Sequence, residues 1–394
     1  MAYKADFQFP LRPEQYAATP VPTLAEWQDL WAVWDAVTQQ MIPKEELLAK
    51  PIKLRNACIF YLGHIPTFLA IHLHKATGVG PDGLEEYQKI FERGIDPDVD
   101  NPELCHAHSE IPDEWPPESA VLAFQGRVRE QVRNHYASND NETNHAVKKA
   151  LWIGFEHELM HLETLLYMLV QSEKTLSPPN SIRPDFEAMA RTAAAKAVSN
   201  SWIQIPQRKV TLGLDDDDKD SVTRRYFGWD NEKPQRAVNV PAFVVQARPI
   251  TNGEYAHYLS AIGSNKLPAS WTIAKKPKHD SLNGHPNGHV NGVTNGASNG
   301  VTNGASAIDG KAVRTVFGPV PLKFALEWSV MASYDELSAY ATWSGGRIPT
   351  MEEVKSVYAY AEERKMKEVE NSLGKTIPAV NGLVHDCQLP CLLY

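Results

Sequence analysis

The sequence is poor in cysteine, in long apolar runs and in positive charge. Four cysteines occur in 394 residues, and only Cys387 and Cys391 lie close together. That is too few for a disulfide scaffold, so a reduced, cytoplasmic protein is expected. No apolar run approaches the roughly 20 residues that span a bilayer, so no membrane partner is expected. The N-terminal stretch MAYKADFQFPLRPEQ has neither the apolar core of a secretory signal nor the Arg/Ser-rich texture of a transit peptide. Lys and Arg total 39 against 48 Asp and Glu, a net charge of −9. Without a basic footprint, a nucleic-acid partner is disfavoured. What is present, 43% apolar and 22% charged residues, is an ordinary globular composition with length for two or three domains.

Residues 23–172 read as helices. Thr23 and Glu26 form a capping-box pattern, and Trp27, Leu30, Trp31 and Trp34 follow at helical spacing. A second helical run covers about Ile52 to Lys75. Val121, Phe124, Val128 and Val132 mark a third, and a fourth runs from about Asn144 to Gln171. Between the second and third, the prolines of GIDPDVDNPELCHAHSEIPDEWPP argue against regular structure. The expectation is a four-helix bundle with one long connection over residues 20–175.

Residues 176–200 read as a connector. From residue 201 to about 380 the texture is that of a mixed α+β domain. Short β-type runs (WIQIP, KVTLGL, AVNVPAFVV) precede helical patches at 251–261 and 333–343. Residues 283–304 are an Asn-Gly repeat that cannot bury a core, and a disordered insertion is expected there. Its His285 and His289 make poor metal ligands, because ordering so flexible a segment costs entropy. Asp215–Asp218 read as a solvated loop rather than a calcium site.

Chemistry concentrates in GFEHELMHLETLLYML. His157 and His161 are spaced i, i+4 in a helical pattern, about 40° apart on one face at roughly 100° per residue. Ala150, Gly154, Thr164, Leu165 and Met168 share that face, which should point into the bundle. Glu156 and Glu163 fall on the opposite, solvated side, and Glu158 on the flank. Two imidazoles in an apolar core are costly unless a metal or hydrogen bonds satisfy them. A third ligand is needed, and His64 is the best candidate, on a face shared with Phe60, Tyr61, Phe68 and Ile71. His135 is a weaker competitor. His72, His74, His106 and His108 read as surface or loop residues. Three neutral imidazoles without a carboxylate suit ferrous iron, and equally suit catalytic zinc.

A rival reading rests on the same residues. His157-Glu158-Leu159-Met160-His161 matches the H-E-x-x-H pattern of zinc metallohydrolases, with Glu158 as general base. Glu187 is then the nearest candidate for the third ligand, while the longer metzincin pattern is absent.

Several long stretches carry a resemblance. LRNACIFYLGHIPTFLAIHL, IFERGIDPDVDNPELCHAHSEIPDEWPP and LWIGFEHELMHLETLLYMLVQS resemble the DinB-like bundle of the iron-dependent sulfoxide synthases of ergothioneine biosynthesis, most closely the fungal ones. FGWDNEKPQRAVNVPAFVVQARPITNGEYAHYL and YDELSAYATWSGGRIPTMEE resemble the formylglycine-generating-enzyme-like (C-type-lectin-like) domain fused to it, with Asp230, Glu232, Pro234, Pro249, Thr251 and Asn252 at matching places. The resemblance covers about residues 20–380 apart from the Asn-Gly insertion. It implies iron(II) held by His64, His157 and His161, the trio that periodicity also singles out. It further implies that hercynine, cysteine or γ-glutamylcysteine, and dioxygen are the substrates. The family joins the sulfur to the imidazole ring and oxidises it to a sulfoxide. Arg93, in the connection after the second helix, is a candidate for binding a substrate carboxylate, since guanidinium suits bidentate recognition.

The chain departs from the family pattern at both ends. On the resemblance, the sequence is expected to start after the methyltransferase domain that fungal members place ahead of the bundle, and it contains no glycine-rich nucleotide loop. The resemblance does not extend to the later part of the second domain, which in the family supplies the substrate pocket and catalytic tyrosine, so no catalytic residue is carried over. His385, Cys387 and Cys391 read as a divergent terminus rather than a thiol site. Three functions follow as expectations: an iron oxygenase, a zinc hydrolase using Glu158, or a non-catalytic remnant of the family.

Overall fold

The computed structural model describes residues 21–52, 55–92, 95–97, 105–107, 112–215, 227–274 and 308–371. The Asn-Gly repeat, Arg93, and the tail bearing His385, Cys387 and Cys391 lie outside the described residues, as do Asp216–Asp218.

The N-terminal region is helical. α1 spans Leu24–Ala36 and starts with the expected capping box, in which Glu26 N–H donates to Thr23 Oγ1 and Thr23 N–H donates to the Glu26 carboxylate. Its Trp27, Leu30, Trp31 and Trp34 are buried. α2 spans Cys58–Thr77 and ends at Gly78, whose φ of 73° is the left-handed cap that favours glycine. It begins six residues later than Ile52, because Pro51 and the turn that follows precede the first helical hydrogen bonds. α3 spans Leu84–Phe91. A short antiparallel pair, β1 (Ile95–Pro97) with β2 (Cys105–Ala107), occupies part of the stretch expected to be irregular. Its proline pairs at the strand end, where a missing N–H interrupts no ladder. α4 spans Glu118–Ala137, α5 is the single turn Asp140–Thr143, and α6 spans His145–Leu169. Asn144 caps α6 by accepting from Ala146 and Val147 N–H.

α2 is the centre of this region and packs against α3, α4 and α6. Such a helix is hydrophobic all round rather than on a stripe, consistent with its almost continuous burial from Cys58 to Thr67. The α2–α6 approach is close: a β-carbon on Gly154 would lie 2.5 Å from Leu69 Cδ1. Arg129 on α4 grips Asp35 on α1 through two hydrogen bonds of 2.8 and 2.9 Å.

The rest of the chain is mixed α/β. α7 (Phe186–Ala195) falls in the stretch read as connector. β3 (Trp202–Ile205) pairs antiparallel with β6 (Phe243–Gln246), and β4 (Arg208–Leu212) with β5 (Arg236–Val240). These are the β-type runs of the sequence. α8 (Asn252–Ala261) follows, then the sheet β7 (Trp271–Ile273), β8 (Lys311–Val313) and β9 (Val320–Pro321), then α9 (Tyr334–Trp343). α10 (Met351–Asn371) was not evident in the sequence pattern.

Two compact units result. One comprises Met1–Ile182, Ser201–Arg248 and Pro349–Leu393, the other Arg183–Asn200 and Pro249–Ile348. In the first, α10 packs on β4 and β5, and Arg208 clasps Glu363 at 2.9 and 3.1 Å. In the second, Tyr255, Tyr258, Trp271 and Tyr340 share a core. Asn252 is fully enclosed there. It accepts from Trp271 Nε1 at 2.9 Å and donates to the Ala325 carbonyl at 2.9 Å, which pins α8 to β7.

Candidate metal centre

α2 and α6 bring His64, His157 and His161 together. One donor nitrogen from each lies within 4.8 Å of the others, the only cluster of three or more His, Cys, Asp or Glu donors among the described residues. His64 Nε2 and His157 Nε2 stand 3.2 Å apart. Two nitrogens bound at about 2.0–2.1 Å and at right angles to one cation are separated by roughly 3 Å, so the spacing matches a shared ion.

The other nitrogen of His64 decides its tautomer. His64 Nδ1 lies 2.6 Å from the Phe91 carbonyl, an acceptor only, so Nδ1 carries the proton and Nε2 presents a lone pair toward His157. Nδ1 of both His157 and His161 is buried without a hydrogen-bond partner. If those two rings present Nε2 lone pairs inward, the three lone pairs face one another, an arrangement that a cation resolves.

Aromatic walls from α2 fix the rings. His157 stacks on Phe68 with centroids 3.7 Å apart, His64 stacks on Phe60 at 5.1 Å, and Tyr61 lies against His161 at 6.0 Å. His64 and His157 are buried, while His161 is half-buried. Burial pushes the His157 pKa well below its ordinary value, with His161, His64 and His72 adding to the effect. Burial and then His64 push His161 down to about 3. His64 is lowered by burial, partly offset by its bond to Phe91. All three are neutral near pH 7, the form that coordinates metals.

Several neighbours differ from expectation. Thr164, assigned to the inward face, is exposed. Glu156 is half-buried rather than solvated, and burial, with Glu232 nearby, raises its pKa. Glu158, placed on the flank, is buried. Its electrostatic neighbours are Arg129 and Asp35, and burial lifts its pKa to about 8. His72 is half-buried, 4.5 Å from the Phe68 ring, and burial lowers it to about 4. His135 bonds Asp140 at 3.0 Å and takes no part in the cluster, while His74 is exposed as expected. Glu187 is exposed and paired with Arg191. The side chains of His106 and His108 are outside the described residues.

Sequence reasoning missed two contributors. Phe91 acts through a backbone carbonyl, which no residue type announces. Trp229 lies 6.4 Å from His157, with Trp152 6.1 Å from Trp229 and 5.7 Å from Phe227. Phe227 and Trp229 belong to FGWDNE, a segment that carries the resemblance.

The chain is 55% identical to ergothioneine biosynthesis protein 1 of Neurospora crassa over 96% of its length. It is a homologue of that protein. The match covers 43% of the Neurospora protein, so the chain spans less than half of this relative. The Schizosaccharomyces pombe ergothioneine biosynthesis protein 1 is 30% identical over 95% of this chain and 45% of its own length. Hercynine oxygenase of Mycobacterium tuberculosis is 31% identical over 31% of this chain and 24% of that protein. Residues 189–366 match the sulfatase-modifying factor enzyme 1-like domain. No described helix is long and apolar enough to cross a membrane.

Proposed function

We propose that this chain is the metal-binding part of a non-haem iron(II) oxygenase of ergothioneine biosynthesis. It would join hercynine to cysteine or γ-glutamylcysteine through a C–S bond, with sulfoxidation. The observation that carries the reading is the convergence of three neutral imidazoles from two packed helices with no carboxylate among them. The homologues named for ergothioneine biosynthesis supply the substrate class. On this reading the helical region is a DinB-like four-helix bundle. The later region is part of a formylglycine-generating-enzyme-like domain, and the protein works in the cytoplasm.

His64, His157 and His161 would hold the iron. When bound, iron(II) supplies a template for both substrates and dioxygen and the redox capacity to activate oxygen. The chain's own residues prepare the site. Phe60, Tyr61 and Phe68 exclude water from the imidazoles and hold them in place. Phe91 keeps the proton of His64 on Nδ1. Of the three, His161 is the one that is not fully buried. Arg93 is proposed to bind a substrate carboxylate through its planar pair of donors.

The zinc hydrolase reading gains no support from the surroundings of Glu158. A general base must reach a metal-bound water, yet Glu158 is fully enclosed and its electrostatic neighbours are Arg129 and Asp35.

The test is to load the chain anaerobically with iron(II) and add hercynine, cysteine or γ-glutamylcysteine, and air. Oxygen uptake with a sulfoxide product is expected, and both should vanish in His157→Ala. Uptake no greater than an iron-only blank would leave a non-catalytic remnant. Stoichiometric zinc with peptide hydrolysis that is lost in Glu158→Gln would establish the hydrolase.

A further inference from the structure

Phe91 touches two consecutive residues of α2 in two different ways. Its carbonyl accepts from His64 Nδ1 at 2.6 Å. Its ring lies over the Cα of Gly63, where an added β-carbon would meet three ring carbons at 2.6–2.7 Å. No L side chain larger than hydrogen fits under that ring as it stands.

The ring has little freedom to yield. Phe91 has no exposed surface, and the ring is stacked against Trp115 at 5.8 Å and Tyr87 at 5.6 Å, with Phe60 at 6.0 Å. Phe60 in turn stacks on His64, which closes a circuit of rings around the ligand. Phe91 is also the last residue of α3, so its carbonyl belongs to the final turn, where carbonyls lack helical donors and carry the negative end of the helix dipole. An imidazole N–H satisfies that carbonyl. The carbonyl in turn holds the ring orientation and makes Nε2 more basic, the usual effect of an outer partner on a metal-binding histidine.

We propose that Gly63 and Phe91 together are a positioning device for His64, in which the missing side chain at 63 lets the end of α3 sit close enough for its terminal carbonyl to set the tautomer and direction of the neighbouring imidazole. The inference rests on the reading of His64 as a metal ligand. It makes Gly63 a positioning residue for that ligand, although glycine carries no chemistry of its own. Gly63→Ala then weakens metal binding by displacing a carbonyl rather than by altering any ligand.

The experiment has a metal-free arm and a metal arm, both on the full chain. In the metal-free protein, nitrogen-15 NMR at neutral pH reads the His64 tautomer, its signal being assigned by its loss in His64→Ala. The wild type should show a slowly exchanging Nδ1–H, and Gly63→Ala should lose it. In the metal arm, cobalt(II) is titrated against a chelator. Gly63→Ala should lower affinity about ten- to a hundredfold. The double variant Gly63→Ala/Phe91→Leu, whose shorter side chain makes room for the new methyl, should regain most of the loss. This rescue also separates positioning from general damage to the fold, which thermal melting of the metal-free variants monitors. Wild-type cobalt affinity in Gly63→Ala, a His64 that is protonated on Nε2, or failure of the double variant to recover would each overturn the device. Loss of cobalt binding in His64→Ala but not in Gly63→Ala would defeat the device alone. Unchanged binding in His64→Ala would defeat the ligand reading instead.

Discussion

Leu69 packs directly over Gly154, where the two helices that carry the histidines meet. With Leu69 Cδ1 only 2.5 Å from where a β-carbon on Gly154 would stand, α2 and α6 meet on a glycine three residues before His157. Gly154→Ala gains up to about 1 kcal/mol of helix propensity, but overpacking costs typically ~1–3 kcal/mol. The expected result is a lower urea midpoint than wild type. A midpoint at or above wild type would mean that the interface relaxes without cost.

Glu158 should make stability depend on pH. Its carboxyl pKa rises from 4.5 in the unfolded chain to about 8 in the folded one, chiefly through burial. Between those values the folded state holds the proton that the unfolded state has released, so stability falls as pH rises from about 4.5 to 8 and then levels off. Glu158→Gln removes the effect while keeping the shape. The melting temperature of metal-free Glu158→Gln should exceed that of wild type by an amount that grows over this window and is largest above pH 8. A difference that does not vary with pH would show that Glu158 does not titrate in this way.

Cys58 should be chemically silent in the folded chain. It is buried at the start of α2, and burial, together with the Glu46 carboxylate, pushes its pKa up to about 12. At pH 8 that leaves on the order of one thiolate in ten thousand, against a sizeable fraction for a free thiol with a pKa near 8.5. Peptide-resolved alkylation by iodoacetamide should therefore modify Cys58 orders of magnitude faster in urea than in native buffer. Equal rates would contradict the burial.

Much of this was legible in the sequence, for identifiable reasons. The i, i+4 spacing of His157 and His161 fixes their common face whatever surrounds the helix, and the aromatic neighbours of His64 mark it as core-facing. The alternation in KVTLGL and the valine-rich run AVNVPAFVV are both β-type signals, and they fall in β4, β5 and β6. What failed was of another kind. Angular position on one helix cannot say which other helix covers a flank, so the burial of Glu158 beside Arg129 and Asp35 was missed. Half-burial of Glu156 and His72 was missed for the same reason. The Phe91 carbonyl and the close approach at Gly63 are backbone features, and Trp229 reaches His157 only through tertiary packing.

The central claim is that His64, His157 and His161 hold one iron together, and iron retention tests it most directly. The chain, loaded with iron(II) without oxygen and desalted, should keep stoichiometric iron, and single alanine variants at 64, 157 and 161 should each lose nearly all of it while keeping the wild-type helical circular dichroism. Iron retained at the wild-type level in His64→Ala would contradict the claim, because the histidine from the second helix would then be no ligand.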